Sequence, residues 1–170
     1  VVLVSGPVSL PVPAGVRRVT AGSALGMREQ VFAALPGADV FIGVAAVADY
    51  RPLEVAEHKI KKSGEMLEIA LTPNPDILAE VAARQDAPFC VGFAAESRDL
   101  DAYAEGKRRR KGLPMLVGNL VSDGMGGDEN TVVLYDDAGR HPLPRAPKAE
   151  LAHGIVSHLA RLLDGCRPQA

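Results

Sequence analysis

Cysteine is scarce in this sequence, and the two that occur are widely separated. Cys90 lies in an apolar run and Cys166 in a polar tail, and no Cys-x-x-Cys pair occurs. A disulfide framework or a zinc site built on cysteine is therefore not expected. A reducing compartment suits this cysteine usage best, so we expect a cytoplasmic protein.

Long hydrophobic runs and an excess of one charge are also lacking. No apolar stretch approaches the roughly 20 residues that a membrane-spanning helix needs, and no secretory signal pattern is visible. The formal net charge is −2, so no overall basic field favours nucleic acid. We expect a globular protein with neither a membrane nor a nucleic acid as its partner.

Several motifs are missing as well. Neither G-x-G-x-x-G nor G-x-x-x-x-G-K-[ST] occurs, which excludes a standard dinucleotide fingerprint and a P-loop. The spacing within the Gly- and Asp-rich segment Asp123–Asn130 is not that of an EF-hand. The histidines are His58, His141, His153 and His158. Their scattered positions lack metal-ligand spacing, so we interpret them as surface or packing residues, and the sequence leaves the ligands of any metal unknown.

What the sequence does contain is a series of short apolar runs that predict β-strands. The first four are continuous, which is typical of strands buried on both faces. The fifth, followed by the turn Asp136–Gly139 and His141–Leu143, predicts a β-hairpin. The five runs are Val1–Ser5, Asp39–Val47, Phe89–Ala94, Met115–Gly118 and Thr131–Tyr135.

Helical patterns alternate with these runs. Ser23 and Asn74 are predicted N-caps, with Pro75 as a first helical residue, and Gly112 is a predicted helix end. The order predicts an α/β, Rossmann-like three-layer fold with a mainly parallel sheet, plus a hairpin that serves as an edge or in dimerisation. The predicted helices are Ala24–Leu35, Pro75–Arg84, Leu100–Arg110 and Ala149–Leu163.

The length of 170 residues suggests one domain, for which roughly 100–200 residues is usual. We place this domain at residues 1–165 and a tail at residues 166–170. Since a predicted core strand begins at Val1, we expect the chain to be a fragment that lacks an upstream strand and helix.

Candidate ligand-binding groups follow the predicted strands, because ligands of open α/β sheets bind at the carboxyl ends of the strands. Small residues at Ala45 and Ala46 would let a ligand approach the backbone. Asp49 could bind a sugar hydroxyl, a base amine or magnesium, or it could satisfy loop amides. Asn74-Pro75-Asp76-Ile77 could form an anion site at a helix start, or only a cap.

Two groups of basic residues could bind phosphates. Lys59, Lys61 and Lys62 lie in a polar loop that could close over a phosphate chain, or could be a solvated hairpin. Lys107 and Lys111 are one helical turn apart, so an anion between them would relieve their repulsion. The alternative is that they complement the helix dipole.

The motifs in this order resemble the phosphopantothenate–cysteine ligase domain of the bacterial bifunctional coenzyme A biosynthesis proteins. The resemblance covers nearly the whole chain. It is carried by Val2–Val8, Ala45–Arg51, Lys59–Lys62, Asn74–Ile77, Val91–Glu96, Lys107 and Lys111.

This resemblance implies a ligase that works in two steps. The carboxylate of 4′-phosphopantothenate attacks the α-phosphate of CTP, which releases pyrophosphate and forms an acyl-cytidylate. The amine of cysteine then displaces CMP and gives phosphopantothenoylcysteine. Mg²⁺ is expected on the triphosphate, and the partners are CTP, 4′-phosphopantothenate and cysteine.

The resemblance also assigns residues. Lys59 matches the loop lysine that acts in the chemistry. Ala45, Ala46 and Asp49 match the cytidine pocket, and Asn74, Pro75, Asp76 and Ile77 match the helix start beside the nucleotide. Phe93 matches a residue packed near the nucleotide, and Lys107 and Lys111 match the triphosphate clamp.

In three respects the chain differs from the family pattern. The family begins earlier, with a glycine-rich turn and an Asn/Ser-rich segment that reaches the active site across a homodimer. Its typical Asn-Asp pair is Asn119-Leu120 here. The flavin-dependent decarboxylase domain to which it is usually fused is not part of this sequence, so FMN is not expected.

Two other functions stay open from the sequence alone. One is an NADP-type reductase domain, because a basic cluster beside a parallel sheet would suit a 2′-phosphate. The other is a non-catalytic RNA- or protein-binding module that uses Arg108–Lys111, which would bind RNA in a salt-sensitive way.

Overall fold

The computed structural model describes residues 1–62, 64, 66–124 and 126–166, and within them strands and helices alternate as the sequence predicts. The elements in chain order are β1 (Val2–Ser5), β2 (Arg17–Thr20), α1 (Ala24–Ala34), β3 (Val40–Gly43), β4 (Tyr50–Pro52), β5 (Leu71–Pro73), α2 (Ile77–Ala82), β6 (Phe89–Glu96), α3 (Leu100–Arg110), β7 (Met115–Leu120), α4 (Val121–Gly124), β8 (Glu129–Asp136), β9 (Gly139–Pro147) and α5 (Lys148–Cys166).

Contacts within the chain define two compact units. Unit 1 comprises Val1–Pro36 and Ala45–Ile77, and unit 2 comprises Gly37–Val44 and the chain from Leu78 onward. The domain boundary at residue 165 stays a prediction. The helices in the described part of the chain include none that is long and apolar enough to cross a membrane.

Unit 1 is built from two small sheets and one helix. β1 and β2 pair in parallel, and β4 and β5 pair antiparallel. The predicted burial of β1 on both faces is wrong, because Val2 and Leu3 are 40% and 37% exposed. β2 is the only strand that pairs with β1 in the described chain, and such pairing covers one edge of a strand and neither of its faces.

Unit 2 contains a five-stranded sheet in the order β3-β6-β7-β8-β9. β3, β6 and β7 pair in parallel, whereas β8 and β9 add an antiparallel edge. The hairpin is confirmed and is longer than predicted. β3 ends at Gly43 rather than at the predicted Val47, and as an edge strand it leaves Ile42 39% exposed.

Helices cover both faces of this sheet, which confirms the three-layer prediction. Successive side chains of a strand point to opposite faces. On one face Val117 belongs to the core that packs under α5. On the other face a Cβ at Gly118 would lie 3.0 Å from Leu100 Cδ1 and 3.4 Å from Ala104 Cβ, both on α3. Only a residue without a side chain allows α3 to approach β7 this closely.

Helix ends were predicted with mixed success. Ser23 is the N-cap of α1, and its Oγ accepts a hydrogen bond from the Gly26 amide at 3.1 Å. Gly112 follows α3 with a φ of 62° and ends that helix as predicted. The predicted cap at Asn74 and helical start at Pro75 are wrong, since α2 begins at Ile77. Asn74 instead binds the backbone of a preceding loop.

Helix α5 fixes the hairpin to the rest of unit 2. Leu151, Ile155 and Leu159 are four residues apart and therefore form one stripe, and each is buried. They contact a core that includes Val132 and Leu134 of β8. The helix and hairpin thus stabilise one another through apolar burial.

The replacement Ile155→Ala should lower the free energy of unfolding by about 2–5 kcal/mol, because it leaves a cavity between α5 and β8. Val156→Ala is the matched control on the same helix, since Val156 is 55% exposed. Urea denaturation measures both variants. Equal losses for the two variants would contradict this packing of α5 on the hairpin.

Candidate functional site

A cavity of about 500 Å³ lies within unit 1. This volume is within the range of roughly 300–1,000 Å³ that is common for small-molecule sites. Most of its lining is backbone or small side chains, so a ligand can approach the main chain closely. The lining residues are Gly6, Pro7, Ala21, Gly22, Ser23, Ala24, Met27, Ala45, Ala46, Val47, Ala48, Tyr50, Arg51, Pro52 and Asn74.

The start of α1 forms one wall of this cavity. Gly22, Ser23 and Ala24 line it, and the first backbone amides of a helix favour anions. Helix α1 has 11 residues. The sequence predicts Ser23 as a helix cap but does not indicate that it lines this cavity. The signal available was the pair Gly22-Ser23 directly before a helical pattern.

Asn74 holds another part of the cavity lining, the loop that contains Ala45 and Ala46. Its Nδ2 donates to the carbonyl oxygen of Ala48 at 2.8 Å, and its backbone amide donates to the carbonyl oxygen of Asp49 at 2.7 Å. These two hydrogen bonds fix the loop against the end of β5. Asn74 therefore positions the cavity wall as well as lining it.

Arg51 holds Asn74 in turn. The sequence motif includes Arg51, but this contact was not predicted. Its Nη1 donates to the carbonyl oxygen of Pro73 at 2.6 Å and to Asn74 Oδ1 at 3.1 Å. The guanidinium thus orients the Asn74 amide and brings a positive charge to the cavity lining. The only signal in the sequence was its position directly after the Asp49-Tyr50 pair.

The remaining predicted residues of unit 1 are placed differently. The side chain of Asp49 is exposed, and Asp49 is not among the residues that line the cavity. Pro75 and Asp76 lie between β5 and α2. Ile77 is buried, which gives it a packing role at the start of α2.

The three loop lysines lie on the surface. Lys59, Lys61 and Lys62 are exposed and belong to no strand or helix. Within residues 1–62, 64, 66–124 and 126–166 the structure records no hydrogen bond or ion pair for Lys59. Ser63 and Glu65 of this loop lie outside the described residues. The Lys59 ammonium group is thus not committed to a protein partner there.

In unit 2, two of the predicted residues contact one another. Lys107 Nζ donates to the carbonyl oxygen of Phe93 at 3.4 Å, and both side chains are half-buried. This contact places the ammonium group of α3 beside the carboxyl half of β6. Lys111, one turn further along the chain, is also half-buried, and its backbone amide donates to the Lys107 carbonyl oxygen.

Arg108 lies between these lysines in sequence and is buried. Its Nε donates to Glu105 at 2.8 Å, and its Nη1 donates to Asp137 at 2.8 Å and to the Leu113 carbonyl oxygen at 3.2 Å. Glu105 also accepts from Arg109 at 2.7 Å. Two arginines of the basic run are therefore engaged in ion pairs within unit 2.

Residues 1–163 match the family model described as the DNA/pantothenate metabolism flavoprotein C-terminal domain. The chain belongs to this family. The domain is similar to the coenzyme A biosynthesis bifunctional protein CoaBC of Vibrio cholerae serotype O1, with 46% identity over 162 residues. That alignment covers 92% of this chain and 41% of the relative, so the chain spans about two fifths of the length of its relative.

Two solved structures share the fold of this flavoprotein C-terminal domain. A crystal structure of the C-terminal domain of CoaBC has a TM-score of 0.80 and 34% identity, and covers 96% of this chain and 74% of that one. The DNA/pantothenate metabolism flavoprotein from Streptococcus pneumoniae has a TM-score of 0.78 and 14% identity, with coverage of 95% and 80%. The latter likeness shows the fold alone.

The histidines of this family member are not all scattered. His141 and His158, which are far apart in sequence, lie together at Asp136, and their interpretation as surface or packing residues stays a prediction. No local pattern signals this contact, because 17 residues separate the two histidines along the chain. Only the packing of α5 on the hairpin brings them together.

The replacement Asn74→Ala should accelerate amide hydrogen exchange in residues 45–50, because it removes the side-chain bonds to Ala48 and Arg51. Asn74→Asp is the informative partner variant: it keeps an acceptor for Arg51 but loses the donor to Ala48. Mass spectrometry of exchange should show faster exchange in both variants. Unchanged exchange in both would mean that Asn74 does not position the loop.

Ion pairing with Arg108 lowers the pKa of Glu105 from 4.5 to about 2, and the hydrogen bond from Arg108 is the main cause. A lowered carboxyl pKa stabilises the fold above the unfolded-state pKa, and this contribution is lost as the pH falls through the folded-state pKa. Glu105→Gln should therefore lower the free energy of unfolding at pH 7 by about 1–3 kcal/mol, and the deficit should shrink between pH 4.5 and 2.

Asp86→Asn is the control for this prediction, since the pair Arg84–Asp86 is exposed and contributes little. Guanidinium denaturation over a pH series measures the three proteins. A Glu105→Gln deficit that does not change with pH would show that the loss comes from packing and not from charge.

Proposed function

We propose that this domain is a CTP-dependent phosphopantothenate–cysteine ligase of coenzyme A biosynthesis. It would join 4′-phosphopantothenate to cysteine through an acyl-cytidylate and yield phosphopantothenoylcysteine, CMP and pyrophosphate. The observation that carries the proposal is the unit 1 cavity. There, separate segments that match the ligase pattern, Ala45–Ala48 and Asn74, meet the amide-rich start of α1.

The relatives support the same conclusion. CoaBC of Vibrio cholerae is named as a bifunctional coenzyme A biosynthesis protein, and the present domain matches 41% of its length. A domain of that size accounts for one of two functions. We propose that the other is the phosphopantothenoylcysteine decarboxylase to which this domain would be fused, so FMN is assigned to that partner domain and not to residues of this chain.

The chemistry requires positive charge and hydrogen-bond donors where negative charge develops. When the pantothenate carboxylate attacks the α-phosphorus, an O–P bond forms and the bond to pyrophosphate breaks, so charge moves to the leaving oxygen. Cysteine nitrogen then attacks the acyl carbon, an amide forms, and CMP leaves with the electron pair of the acyl–oxygen bond. Preorganised donors lower both barriers.

Residues of this chain have separate roles in these steps. In unit 1, the α1 amides and the loop Ala45–Ala48 would hold the nucleotide, with Asp49 beside the cytidine. Lys59 would stabilise the phosphorus transition state and the acyl-cytidylate. Asn74–Ile77 would support the nucleotide wall.

Three unit 2 residues complete the assignment. Phe93 would pack near the nucleotide, and Lys107 and Lys111 would bind the triphosphate. Lys107 is already held in place by the Phe93 carbonyl oxygen, and its ammonium group retains two further N–H donors for phosphate oxygens.

Several further features belong to the same proposal. CTP would enter as its magnesium complex, so Mg²⁺ is part of the substrate. The enzyme would act as a cytoplasmic homodimer, with the β8–β9 hairpin as the dimer contact.

The structure makes one rival less attractive. An RNA-binding module built on Arg108–Lys111 needs these cations to face solvent, yet Arg108 is buried and paired with Glu105 and Asp137. The NADP-type reductase remains the sharper alternative. Stabilisation of the complete protein by NADPH but not by CTP would overturn the ligase proposal.

The direct test is cysteine-dependent release of CMP from CTP and phosphopantothenate. The assay should use the protein with its natural N-terminus. CMP release that requires all three substrates supports the proposal. No CMP release by a folded, nucleotide-binding protein would refute it.

The replacement Lys59→Gln should abolish acyl-cytidylate formation while the fold survives, because the Lys59 side chain is exposed and makes no hydrogen bond or ion pair with the part of the chain that the structure describes. Loss of one such electrostatic group typically costs about 10²–10³ in kcat. Pyrophosphate release in single-turnover experiments measures the first step.

Lys62→Gln is the matched control, since Lys62 lies in the same loop and is equally exposed. We expect it to raise KM for CTP modestly and to leave kcat nearly unchanged. A fully active Lys59→Gln enzyme would remove Lys59 from the mechanism.

A further inference from the structure

A buried carboxylate lies between two imidazole rings at the turn of the β8–β9 hairpin. Asp136 Oδ2 is 2.7 Å from His158 Nε2, and Asp136 Oδ1 is 3.0 Å from His141 Nε2. The ring centroids of the two histidines are 4.6 Å apart. One ligand atom from each of the three residues falls within 4.8 Å of the others.

The carboxylate is oriented by its own turn. Asp136 Oδ1 accepts hydrogen bonds from the amides of Ala138 at 2.8 Å and Gly139 at 3.1 Å. These bonds fix the side chain and point Oδ2 at His158 Nε2. Such support of a ligand by groups behind it is typical of metal sites.

The cluster combines a buried charge with a route to solvent. Asp136 and His158 are buried, whereas the His141 side chain is 36% exposed. The carboxylate can therefore be reached from the His141 side.

We propose that Asp136, His141 and His158 bind one divalent transition-metal ion, with Zn²⁺ as the best fit. Two imidazole nitrogens and one carboxylate oxygen are ligands that Zn²⁺ accepts, with water as the fourth. Zinc–ligand bonds of about 2.0–2.2 Å place neighbouring ligand atoms about 3.3 Å apart, so the side chains need only small shifts. Mg²⁺ and Ca²⁺ prefer oxygen ligands and suit this set poorly.

Arg161 determines how tightly the ion is held. Its Nη2 donates to His158 Nδ1 at 3.0 Å, so the His158 proton lies on Nε2 and is donated to Asp136. Coordination through Nε2 requires that proton to move to Nδ1, which Arg161 then opposes. Arg161 is exposed and can turn away, so the ion and the Arg161 contact compete.

The three proposed ligands, Asp136, His141 and His158, are not residues assigned to the ligase chemistry. Tyr135 pairs with Leu116, so the hairpin turn lies beside the start of β7. Ligands of open α/β sheets bind at the opposite, carboxyl ends of the strands. A bound ion would join the hairpin turn to α5 and stabilise unit 2.

The test is calorimetric titration of the untagged, chelator-treated full protein with ZnCl₂. We expect one Zn²⁺ per chain and a rise in Tm with zinc, since a ligand that binds only the folded state stabilises it. Co²⁺ in place of Zn²⁺ should give the visible absorption of a tetrahedral site. Absence of saturable binding would overturn the proposal.

Three variants sharpen the result. His141→Ala removes a half-exposed ligand and should abolish binding, whereas His153→Ala changes an exposed histidine of α5 and should not. Arg161→Gln should tighten binding about tenfold, the lower end of the 10–100-fold by which a partner behind a ligand changes affinity, because it removes the donor that opposes the coordinating tautomer of His158. Binding that survives His141→Ala in a folded protein would refute the site. Cysteine-dependent CMP release should be unaffected by Arg161→Gln, which lies on α5 and not on the hairpin, so the two proposals fail independently.

Discussion

Two adjacent aspartates at one hairpin turn hold both principal helices of unit 2. Asp136 binds His158 of α5, and Asp137 binds Arg108 of α3. The turn is stable because Asp136 Oδ1 accepts hydrogen bonds from the backbone amides of Ala138 and Gly139. Gly139, which completes the turn, has a φ of 119°. Since both helices are anchored at the same point, their positions on opposite faces of the sheet depend on the conformation of this turn.

The anchoring of α3 has a functional consequence. Arg108 is fixed by hydrogen bonds to Glu105, Leu113 and Asp137, and Gly118 lets the helix lie directly on β7. The position of Lys107 is therefore set by rigid packing, and its hydrogen bond to Phe93 follows from it. A side chain that is held in advance loses little conformational entropy when it binds a ligand.

In unit 1, hydrogen bonds rather than apolar packing hold the loop that lines the cavity. Its loop from Ala45 to Ala48 has small side chains that bury little apolar surface, so packing cannot hold it. Asn74 replaces the missing packing with bonds to the backbone at Ala48 and Asp49, and Arg51 orients Asn74 in turn. Polar groups hold this wall in place while its surface stays open to a ligand.

Sequence patterns predicted the elements whose signal is local. Helix α3 begins and ends as predicted because its residues form one continuous pattern and Gly112 ends it. Elements of three or four residues, such as β2, β4 and β5, have too little periodicity to be recognised. The Asn74 cap was predicted wrongly because a distant loop competes for the same side chain, and the contact of His141 with Asp136 and His158 depends on how α5 packs.

Arginine and lysine side chains have different roles in this protein because a guanidinium and an ammonium group differ in chemistry. A guanidinium offers five donors in a fixed plane and is suited to a permanent network, which is the role of Arg108 and Arg51 in this fold. An ammonium is a compact charge on a flexible stem with three donors, so it can hold a protein oxygen and still bind phosphate. Lys107 has that form, with one contact to Phe93. These two arginines thus build the framework, whereas the ammonium group of Lys107 has further donors that could bind a ligand.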